Sequence, residues 1–261
     1  MRLVIRKDYD AVSAWAAAFV AARIRSRGTG PGRPFTLGLP TGSTPEGMYA
    51  RLVRMHREES LSFRNVATFN MDEYVGLPPE DPGSYRSYMR SRLFDLVDLP
   101  PENARLPDGS AEDPAAAAVA YERAIADAGG IRLFVGGVGS DGHIAFNEPG
   151  SSLASRTRLK TLTRETRQAN ARFFGGDPER VPALALTVGV GTILAADEIL
   201  LLVSGYGKAR ALRAMVEEGV NHLWTASCLQ LHPKAVVVCD EAATDELRVK
   251  TVRYFREIEG E

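Results

Sequence analysis

Three titratable side chains lie close together in one glycine-rich segment of this sequence. The segment VGGVGSDGHIAFNEP, residues 135–149, holds Asp141, His143 and Glu148 within eight residues. A histidine between two carboxylates is an acid–base group whose tautomer and pKa those carboxylates can set. A zinc site is the competing interpretation, but the other histidines show no ligand spacing with this one. We therefore expect proton-transfer chemistry without a metal.

The same segment contains the pattern Gly-x-Gly-x-x-Gly, from Gly137 to Gly142, which occurs in dinucleotide-binding proteins. In those proteins an amphipathic helix follows the glycines, and an acidic residue further on binds the ribose. Here Pro149 and Gly150 interrupt the chain soon afterwards, and the residues near Lys160 are basic. We therefore expect no dinucleotide cofactor.

A second segment, TFNMDEYVG at residues 68–76, ends an apolar run in the adjacent carboxylates Asp72 and Glu73. A carboxylate at the end of a strand can face the ligand cleft of an α/β sheet and act as a general base. An acidic pair is also common as a helix cap or in a surface turn. On these residues alone, both interpretations stay open.

Two further segments could bind a phosphate group. In LPTGSTP, residues 39–45, Gly42 lets the backbone approach a ligand, and Thr44 before Pro45 predicts the N-cap of a helix. The amino end of a helix attracts anions, although no Gly-Lys-Ser/Thr follows as in a P-loop. In VSGYGKA, Lys208 stands at a predicted helix start, which is unfavourable for a cation unless an anion faces it. An ordinary turn and a solvated lysine are the alternatives.

A basic run follows the histidine segment. In SSLASRTRLKT, residues 151–161, the cations Arg156, Arg158 and Lys160 alternate with other residues. Alternate side chains of an extended strand point to one face, so these cations could bind a second phosphate. Charged side chains also protect exposed edge strands from aggregation, and the spacing alone favours that interpretation.

Short apolar runs alternate with longer amphipathic ones along the chain. This alternation predicts an α/β fold with an open, mostly parallel sheet and helices on both faces. A polar excursion at residues 151–182 is expected to form a lid between two core strands, and Gly28–Pro34 is expected to be a loop. The predicted strands are Leu3–Ile5, Phe35–Leu39, Val66–Asn70, Arg132–Val135, Leu184–Val188, Ile199–Val203 and Ala235–Cys239. The predicted helices are Asp8–Arg27, Pro45–Glu59, Ser84–Leu96, Pro114–Ala128, Tyr206–Glu218 and Thr244–Glu257.

The composition excludes several classes of protein. The net charge of the 261 residues is −1 and no long basic stripe occurs, which argues against a nucleic-acid partner. Two cysteines, Cys228 and Cys239, are too few for a disulfide framework and are expected to be reduced and buried. No apolar stretch approaches the ~20 residues of a membrane span, and the first residues lack the apolar run of a signal peptide. We expect a cytoplasmic protein that does not bind a membrane.

Taken together, these segments resemble the glucosamine-6-phosphate deaminase family over nearly the whole chain, from Met1 to Tyr254. The strings that carry the resemblance are LPTGSTP, TFNMDEYVGL, GGVGSDGHIAFNEPGSSLASRTR, ALTVGVGTIL, NHLWTASCLQLHPKA and CDE. The resemblance implies a single Rossmann-like α/β domain over residues 1–261, which assembles into a homohexamer. It also implies conversion of glucosamine 6-phosphate and water to fructose 6-phosphate and ammonia, without a cofactor or a metal.

The resemblance assigns roles to individual residues. Asp72 matches the base that moves the C2 proton of the sugar. His143, helped by Asp141 and Glu148, matches the residue that opens the pyranose ring. The residues that match the phosphate site are Gly42, Ser43, Thr44, Arg172 and Lys208. Ser43 stands where a glycine is also common in the family, which adds a side chain near the ligand.

Some bacterial members of the family are activated by N-acetylglucosamine 6-phosphate, and this protein is expected to share that activation. The effector site of those members matches the N-terminal amine of Met1 and the residues Ser151, Arg158, Lys160, Thr161 and Tyr254. The resemblance thus favours an effector site over a merely protective edge strand. Two alternative functions stay open: a 6-phosphogluconolactonase, which resembles this fold and also binds a sugar phosphate, and a sugar-phosphate sensor without catalysis.

Overall fold

The computed structural model describes residues 1–26 and 34–260 of the chain. The predicted loop Gly28–Pro34 lies outside these residues except for Pro34, and so does Arg27, the predicted end of the first helix. The strands are β1 (Arg2–Arg6), β2 (Phe35–Leu39), β3 (Val66–Asn70), β4 (Asp72–Tyr74), β5 (Ala104–Arg105), β6 (Leu133–Gly137), β7 (Arg158–Thr161), β8 (Leu184–Thr187), β9 (Ile199–Val203) and β10 (Ala235–Asp240). The α-helices are α1 (Tyr9–Ser26), α2 (Glu46–Glu58), α3 (Tyr85–Arg92), α4 (Pro114–Asp127), α5 (Arg164–Asn170), α6 (Val190–Leu194), α7 (Ala209–Glu217) and α8 (Val249–Glu259).

Seven strands form a large sheet in the order β1-β10-β9-β6-β2-β3-β5. Every neighbouring pair in this sheet runs parallel. Apolar side chains pack against both faces of the sheet, which is why its strands are nearly continuous apolar runs. Helices α1, α2 and α3 contribute to the cluster on one face, and α4, α6 and α7 to the cluster on the other. The predicted α/β fold with an open, mostly parallel sheet is therefore confirmed.

Local sequence explains where two of the helices begin. The carboxylate of Asp113 accepts hydrogen bonds from the N–H groups of Ala115 and Ala116, and Pro114 takes the first position of α4. The hydroxyl of Ser84 likewise accepts from the N–H of Ser87 at the start of α3. No helix in the described ranges is both long enough and apolar enough to cross a lipid bilayer.

A second, three-stranded antiparallel sheet has the order β4-β8-β7. Leu184–Val188 contains a strand as predicted, but the expectation that it belongs to the core of the parallel sheet is wrong. The backbone turns from β3 into β4 at Met71, and the N–H of Val188 donates to the Met71 carbonyl at 2.7 Å, which joins β8 to β4. Buried apolar strands look alike in sequence whichever sheet they enter. The excursion at residues 151–182 contains β7 and α5, and β8 follows it directly.

The chain reverses its direction across the large sheet next to β2. From β2 it continues to β3 on one side, and β6 later pairs with the other side of β2. Loops that leave the carboxyl ends of such strands diverge and leave a crevice, where α/β proteins bind their ligands. The loops after β2, β3, β6 and β9 are those that the sequence singled out.

Candidate active site

A cavity of about 400 Å³ opens at this crevice. Its walls come from the loops that follow β2, β3, β6 and β9, together with α5 and the turn after it. The fold thus brings together side chains from distant parts of the chain. The predicted site residues that line the cavity are Gly42, Ser43, Thr44, Asp72, His143, Arg172 and Lys208.

The loop after β2 has the open backbone that a phosphate cradle needs. Gly42 has a φ angle of 92°, a conformation that side chains disfavour, and space around its Cα is open. The Tyr88 hydroxyl donates to the Gly42 carbonyl at 2.6 Å and fixes the loop against α3. From the turn after α5, the guanidinium of Arg172 donates to the Ser43 hydroxyl at 3.3 Å.

The predicted N-cap at Thr44 is wrong. Helix α2 begins at Glu46, with Pro45 in the N-cap position, and the Pro45 side chain makes no capping hydrogen bond. The N–H of Glu46 reaches back to the Ser43 carbonyl at 3.4 Å, so a turn precedes the helix and moves its start by one residue. The N–H of Gly47, in the first helical turn, donates to the Tyr9 hydroxyl at 2.9 Å, so the open backbone at Gly42 is the part of this loop that suits an anionic ligand.

Two cations from different elements face this loop. Lys208 follows β9, and Arg172 follows α5. Burial lowers the pKa of Lys208; the nearby Asp141 carboxylate opposes that shift, and the Arg172 guanidinium adds to it. Lys208 is partly withdrawn from water and the exposed guanidinium of Arg172 repels it, so an anion that joins the two cations stabilises the pair. The corner is therefore suited to a phosphate dianion.

A buried carboxylate fixes the loop that carries Lys208. Asp240, at the end of β10, accepts hydrogen bonds from the Ser204 hydroxyl and from the N–H of Gly205. Gly205 has a φ angle of 87°, and its carbonyl accepts the N–H of Lys208 at 3.0 Å. Asp240, the middle residue of the string CDE that contributed to the family resemblance, thus holds the loop that carries Lys208 in place.

The two members of the acidic pair have different surroundings. Asp72 begins β4, is 5% exposed and lines the cavity. Burial, and then the charge of Glu73, raise the pKa of Asp72 well above its ordinary value. A carboxylate with a raised pKa is a stronger base, closer to the optimum for proton transfer near neutral pH.

Glu73 instead holds the start of α3. Its carboxylate accepts the backbone N–H groups of Tyr74, Tyr85 and Arg86 at 2.9–3.0 Å. Burial raises the pKa of Glu73, and these N–H groups oppose the shift. The helix-cap interpretation therefore fits Glu73, whereas the base interpretation fits Asp72.

The imidazole of His143 has one carboxylate beside it. Asp141 Oδ1 lies 2.7 Å from His143 Nδ1, which leaves Nε2 for a ligand in the cavity. Burial acts to raise the pKa of Asp141, but contacts with His143 outweigh it and the pKa is lowered. A Cβ on Gly139 would lie 2.4 Å from the imidazole ring, so the absence of a side chain there makes room for His143. No group of three His, Cys, Asp or Glu side chains in the described ranges is arranged to hold a metal.

The hydrogen bonds of Glu148 run to the start of α5. Glu148 is buried, and its Oε1 accepts hydrogen bonds from the backbone and hydroxyl of Thr163 and from the hydroxyl of Thr166. Thr163 caps α5, the helix of the polar excursion at residues 151–182. An eight-residue loop can bend in many ways, so the spacing of Asp141, His143 and Glu148 did not show that the hydrogen bonds of Glu148 go to α5. Glu148 therefore connects the histidine loop to the start of α5.

Part of the predicted effector set lies on β7 and near it. Arg158 and Lys160 alternate on β7, and Arg158 donates to the Asn147 side chain at 2.8 Å. Burial lowers the pKa of Arg158, and within the described ranges no carboxylate pairs with it. The Ser151 hydroxyl is buried and has no partner in the part of the chain that the structure describes. Thr161 ends β7 and is exposed.

The other two effector candidates lie across the molecule. Met1 precedes β1, and Tyr254 is exposed on α8, which packs against β1 at one edge of the large sheet. Strand β7 packs against α4, whose Tyr121 hydroxyl donates to the Asn70 carbonyl of β3. Five strand spacings, roughly 24 Å at ~4.8 Å each, separate β1 from β3. The structure therefore does not bring all six residues together in one chain.

Sequence reasoning missed other residues of the cavity wall. Tyr85 and Thr166 line it, and the Tyr85 hydroxyl donates to that of Tyr74 at 3.2 Å. The serine N-cap directly before Tyr85 was a usable signal, because it marks the first turn of α3. Thr166 lies in the polar excursion, where no strand or helix was predicted from which to place a side chain.

The comparisons with known proteins agree with this layout. Residues 7–240 match the family model described as glucosamine-6-phosphate isomerases/6-phosphogluconolactonase. The chain belongs to this family. Within it, the chain is 59% identical to the glucosamine-6-phosphate deaminase of Serratia proteamaculans over 261 residues, which is 100% of this chain and 98% of that protein.

Solved structures of the family support the fold. The structure of a monomeric glucosamine-6-phosphate deaminase superposes with a TM-score of 0.90 at 42% identity, over 95% of this chain and 100% of that one. The 6-phosphogluconolactonase of Trypanosoma cruzi superposes with a TM-score of 0.74 at 20% identity, over 94% and 96%. The lactonase shares the fold, whereas the deaminases also share much of the sequence.

Proposed function

We propose that this protein is a glucosamine-6-phosphate deaminase, which converts glucosamine 6-phosphate and water to fructose 6-phosphate and ammonia. One observation carries the proposal: a buried carboxylate of raised pKa, Asp72, and the imidazole of His143 share a cavity with Lys208 and Arg172. The identities of 42–59% with proteins named glucosamine-6-phosphate deaminase support it.

The sugar must first open its ring, because the cyclic form hides the aldehyde. In the proposed step, His143 accepts the proton of the O1 hydroxyl at Nε2 and returns a proton to the ring oxygen. The Asp141 carboxylate at Nδ1 orients the ring and stabilises the imidazolium that forms in between. The products of this step are an aldehyde at C1 and a hydroxyl at C5.

The aldehyde then acidifies the hydrogen on C2. Asp72 removes that proton, the electron pair of the C2–H bond forms a C1–C2 double bond, and O1 takes a proton from the C2 ammonium group to become an enol hydroxyl. Asp72 then returns its proton to C1, and the nitrogen lone pair forms a C2=N iminium group. Water adds to C2, the C2–N bond breaks, and ammonia leaves as the C2 carbonyl forms. Electrons are redistributed within one sugar, so the conversion requires no external oxidant or reductant.

The phosphate group takes no part in these proton transfers. Lys208, Arg172 and the open backbone at Gly42 hold it, so that binding energy orients C1 and C2 against His143 and Asp72. Each charge-assisted hydrogen bond to the phosphate contributes about 1.5–3 kcal/mol.

A coupled assay for ammonia tests the function directly. The purified protein is expected to release ammonia from glucosamine 6-phosphate in proportion to fructose 6-phosphate, and not to hydrolyse 6-phosphogluconolactone. Hydrolysis of the lactone without ammonia release would indicate a lactonase instead. Binding of the sugar phosphate without turnover of either compound would indicate a sensor.

We also propose that N-acetylglucosamine 6-phosphate activates the enzyme. Arg158 on β7 is a half-buried cation with no carboxylate partner among the described residues, and the hydroxyl of Ser151, seven residues earlier in the chain, is buried and has no partner there either. In the small sheet, Asp72 and Arg158 both lie opposite Thr187, so the proposed base and the proposed effector cation occupy one cross-strand row. A ligand at Arg158 therefore acts on the strands that position Asp72.

Assembly into a homohexamer is part of this proposal. The distance between β7 and the edge that carries Met1 and Tyr254 is too great for one hexose phosphate to span within a chain. Adjacent copies would bring the two groups together. The proposal thus makes activation depend on assembly, whereas the related enzyme noted above is described as monomeric.

Substrate saturation curves with and without N-acetylglucosamine 6-phosphate test activation, and sedimentation velocity gives the size of the assembly. The effector is expected to shift the curve to lower substrate concentration, and Arg158→Met to abolish that shift. Arg64→Met, at an exposed arginine, is the control and is expected to keep the response. A flat response of the unmodified enzyme would contradict activation, and a monomeric species that still responds would contradict the shared site.

A further inference from the structure

The backbone next to His143 is strained at a residue that is not glycine. Ala145 has a φ angle of 53°, in the left-handed region that side chains disfavour, and it lines the cavity. It stands at the second position of a tight turn in which the N–H of Asn147 donates to the Ile144 carbonyl at 3.2 Å. Such a conformation persists only where the surrounding structure holds it.

A buried threonine on β8 supplies one of the contacts that hold this turn. The hydroxyl oxygen of Thr187 accepts the N–H of Phe146, the residue after Ala145, at 3.1 Å. Thr187 is 0% exposed, so water cannot take its place. The Asn147 side chain adds a bond of 2.8 Å to the Val188 carbonyl, which ties the end of the turn to the same strand.

The same threonine stands directly opposite the proposed base. Thr187 pairs with Asp72 across the antiparallel strands β8 and β4, so the two side chains lie on one face with Cβ atoms about 4.5–5.5 Å apart. One residue therefore touches the strand that carries Asp72 and the loop that carries His143 and Ala145. It fixes the position of each relative to the other.

We propose that Thr187 is a positioning residue, whose hydroxyl holds the strained turn at Ala145 and so sets the geometry between the histidine loop and Asp72. The proposal rests on the proposed deaminase activity, in which both groups act on adjacent carbons. Neither the chemistry nor the sugar phosphate requires contact with Thr187 itself.

Loss of the hydroxyl is expected to alter turnover more than binding. In Thr187→Val the shape is kept, but the Phe146 N–H loses its acceptor in a buried place, and the turn can relax away from the strained geometry. A displacement of about 1 Å near reacting atoms can lower a rate ~100-fold. The cation corner at Lys208 and Arg172 is built from other loops, so substrate affinity is expected to change little.

The test compares kcat and KM for glucosamine 6-phosphate among matched variants. Thr187→Val is expected to lower kcat roughly 10- to 100-fold with KM within about threefold, and Thr187→Ser to restore most of kcat because it keeps the acceptor. Thr68→Val is the control, because Thr68 has a buried hydroxyl without a partner among the described residues. Unchanged kcat in Thr187→Val, or a serine variant no better than the valine one, would overturn the proposal.

Two further measurements keep the proposal testable if the valine variant is unstable or the activity is absent. Amide hydrogen exchange at Phe146 is expected to be at least tenfold faster in Thr187→Val than in the unmodified protein; equal rates would contradict the proposal whatever the activity. Ala145→Gly removes the steric strain, so the double variant with Thr187→Val is expected to recover part of the lost stability and turnover. A double variant worse than Thr187→Val alone would contradict the role of the strain. Absence of ammonia release by the unmodified protein would instead contradict the deaminase function.

Discussion

Replacement of Lys208 by methionine separates the phosphate anchor from the chemistry. Methionine keeps an unbranched apolar chain of similar length and removes the charge. Lys208 and Arg172 are the two cations in the cavity lining that face the loop at Gly42. At about 1.5–3 kcal/mol for a hydrogen bond to a charged group, and 1.4 kcal/mol per tenfold change, Lys208→Met is expected to weaken binding of a sugar phosphate roughly 10- to 150-fold.

The same substitution is expected to stabilise the protein without ligand. Burial and the Arg172 guanidinium lower the pKa of Lys208, so the charged form is less favourable in the folded chain than in the unfolded one. At pH values below the pKa of lysine in the unfolded chain, the charge on Lys208 therefore reduces the free energy of unfolding of the protein. Methionine carries no charge and removes that penalty. The melting temperature in phosphate-free buffer is therefore expected to rise.

Calorimetric titration with fructose 6-phosphate and with phosphate-free fructose measures the first effect, and thermal unfolding measures the second. Lys234→Met is the control, because Lys234 is exposed and lies directly before β10, at the amino ends of the strands and away from the cavity. An equal loss of affinity for both sugars would refute the assignment of Lys208 to the phosphate. A fall in melting temperature would refute the electrostatic reasoning.

Two other predictions concern the proposed base and the imidazole. Because burial and Glu73 raise the pKa of Asp72, and because the base acts when deprotonated, kcat/KM is expected to fall as pH decreases through a value well above the ordinary aspartate pKa of about 3.9. A pH–rate profile that is flat down to pH 4 would contradict this. Gly139→Ala would place a Cβ 2.4 Å from His143, so ring opening is expected to slow at least tenfold, whereas Gly219→Ala, in open space, is expected to behave like the unmodified enzyme. Equal steady-state rates for the two alanine variants would show that the loop can yield without moving the imidazole.

The large sheet was predictable because its strands are buried on both faces. Its strands are nearly continuous apolar runs, as in Phe35–Leu39, Val66–Asn70 and Ile199–Val203. Such runs can be recognised as buried strands from the local sequence alone. The small sheet was harder to predict, because β4 has three residues and β7 is a polar strand. Whether Leu184–Val188 pairs with the parallel core or with β4 depends on partners far away in sequence.

The site was predictable as a set of loops but not as a set of contacts. Gly42, Asp72, His143 and Lys208 each follow a strand of the large sheet, and parallel strands end at one edge, so the cavity lining could be anticipated. The contact of Glu148 with α5 could not be anticipated, because a loop without regular structure has no periodicity that fixes the direction of a side chain. Thr187 carried no signal, because a threonine in a strand is ordinary until its neighbour is known.

The proton transfer from C2 is tested most directly by turnover of Asp72→Asn. Asparagine has nearly the same shape as aspartate and cannot accept the proton, while the cations that hold the phosphate are untouched. Ammonia release from glucosamine 6-phosphate, at substrate concentrations that saturate the variant, is expected to fall about 10²- to 10⁴-fold, with KM within a few-fold of the unmodified enzyme. Turnover within tenfold of the unmodified enzyme, in a folded variant, would show that another group removes the hydrogen from C2.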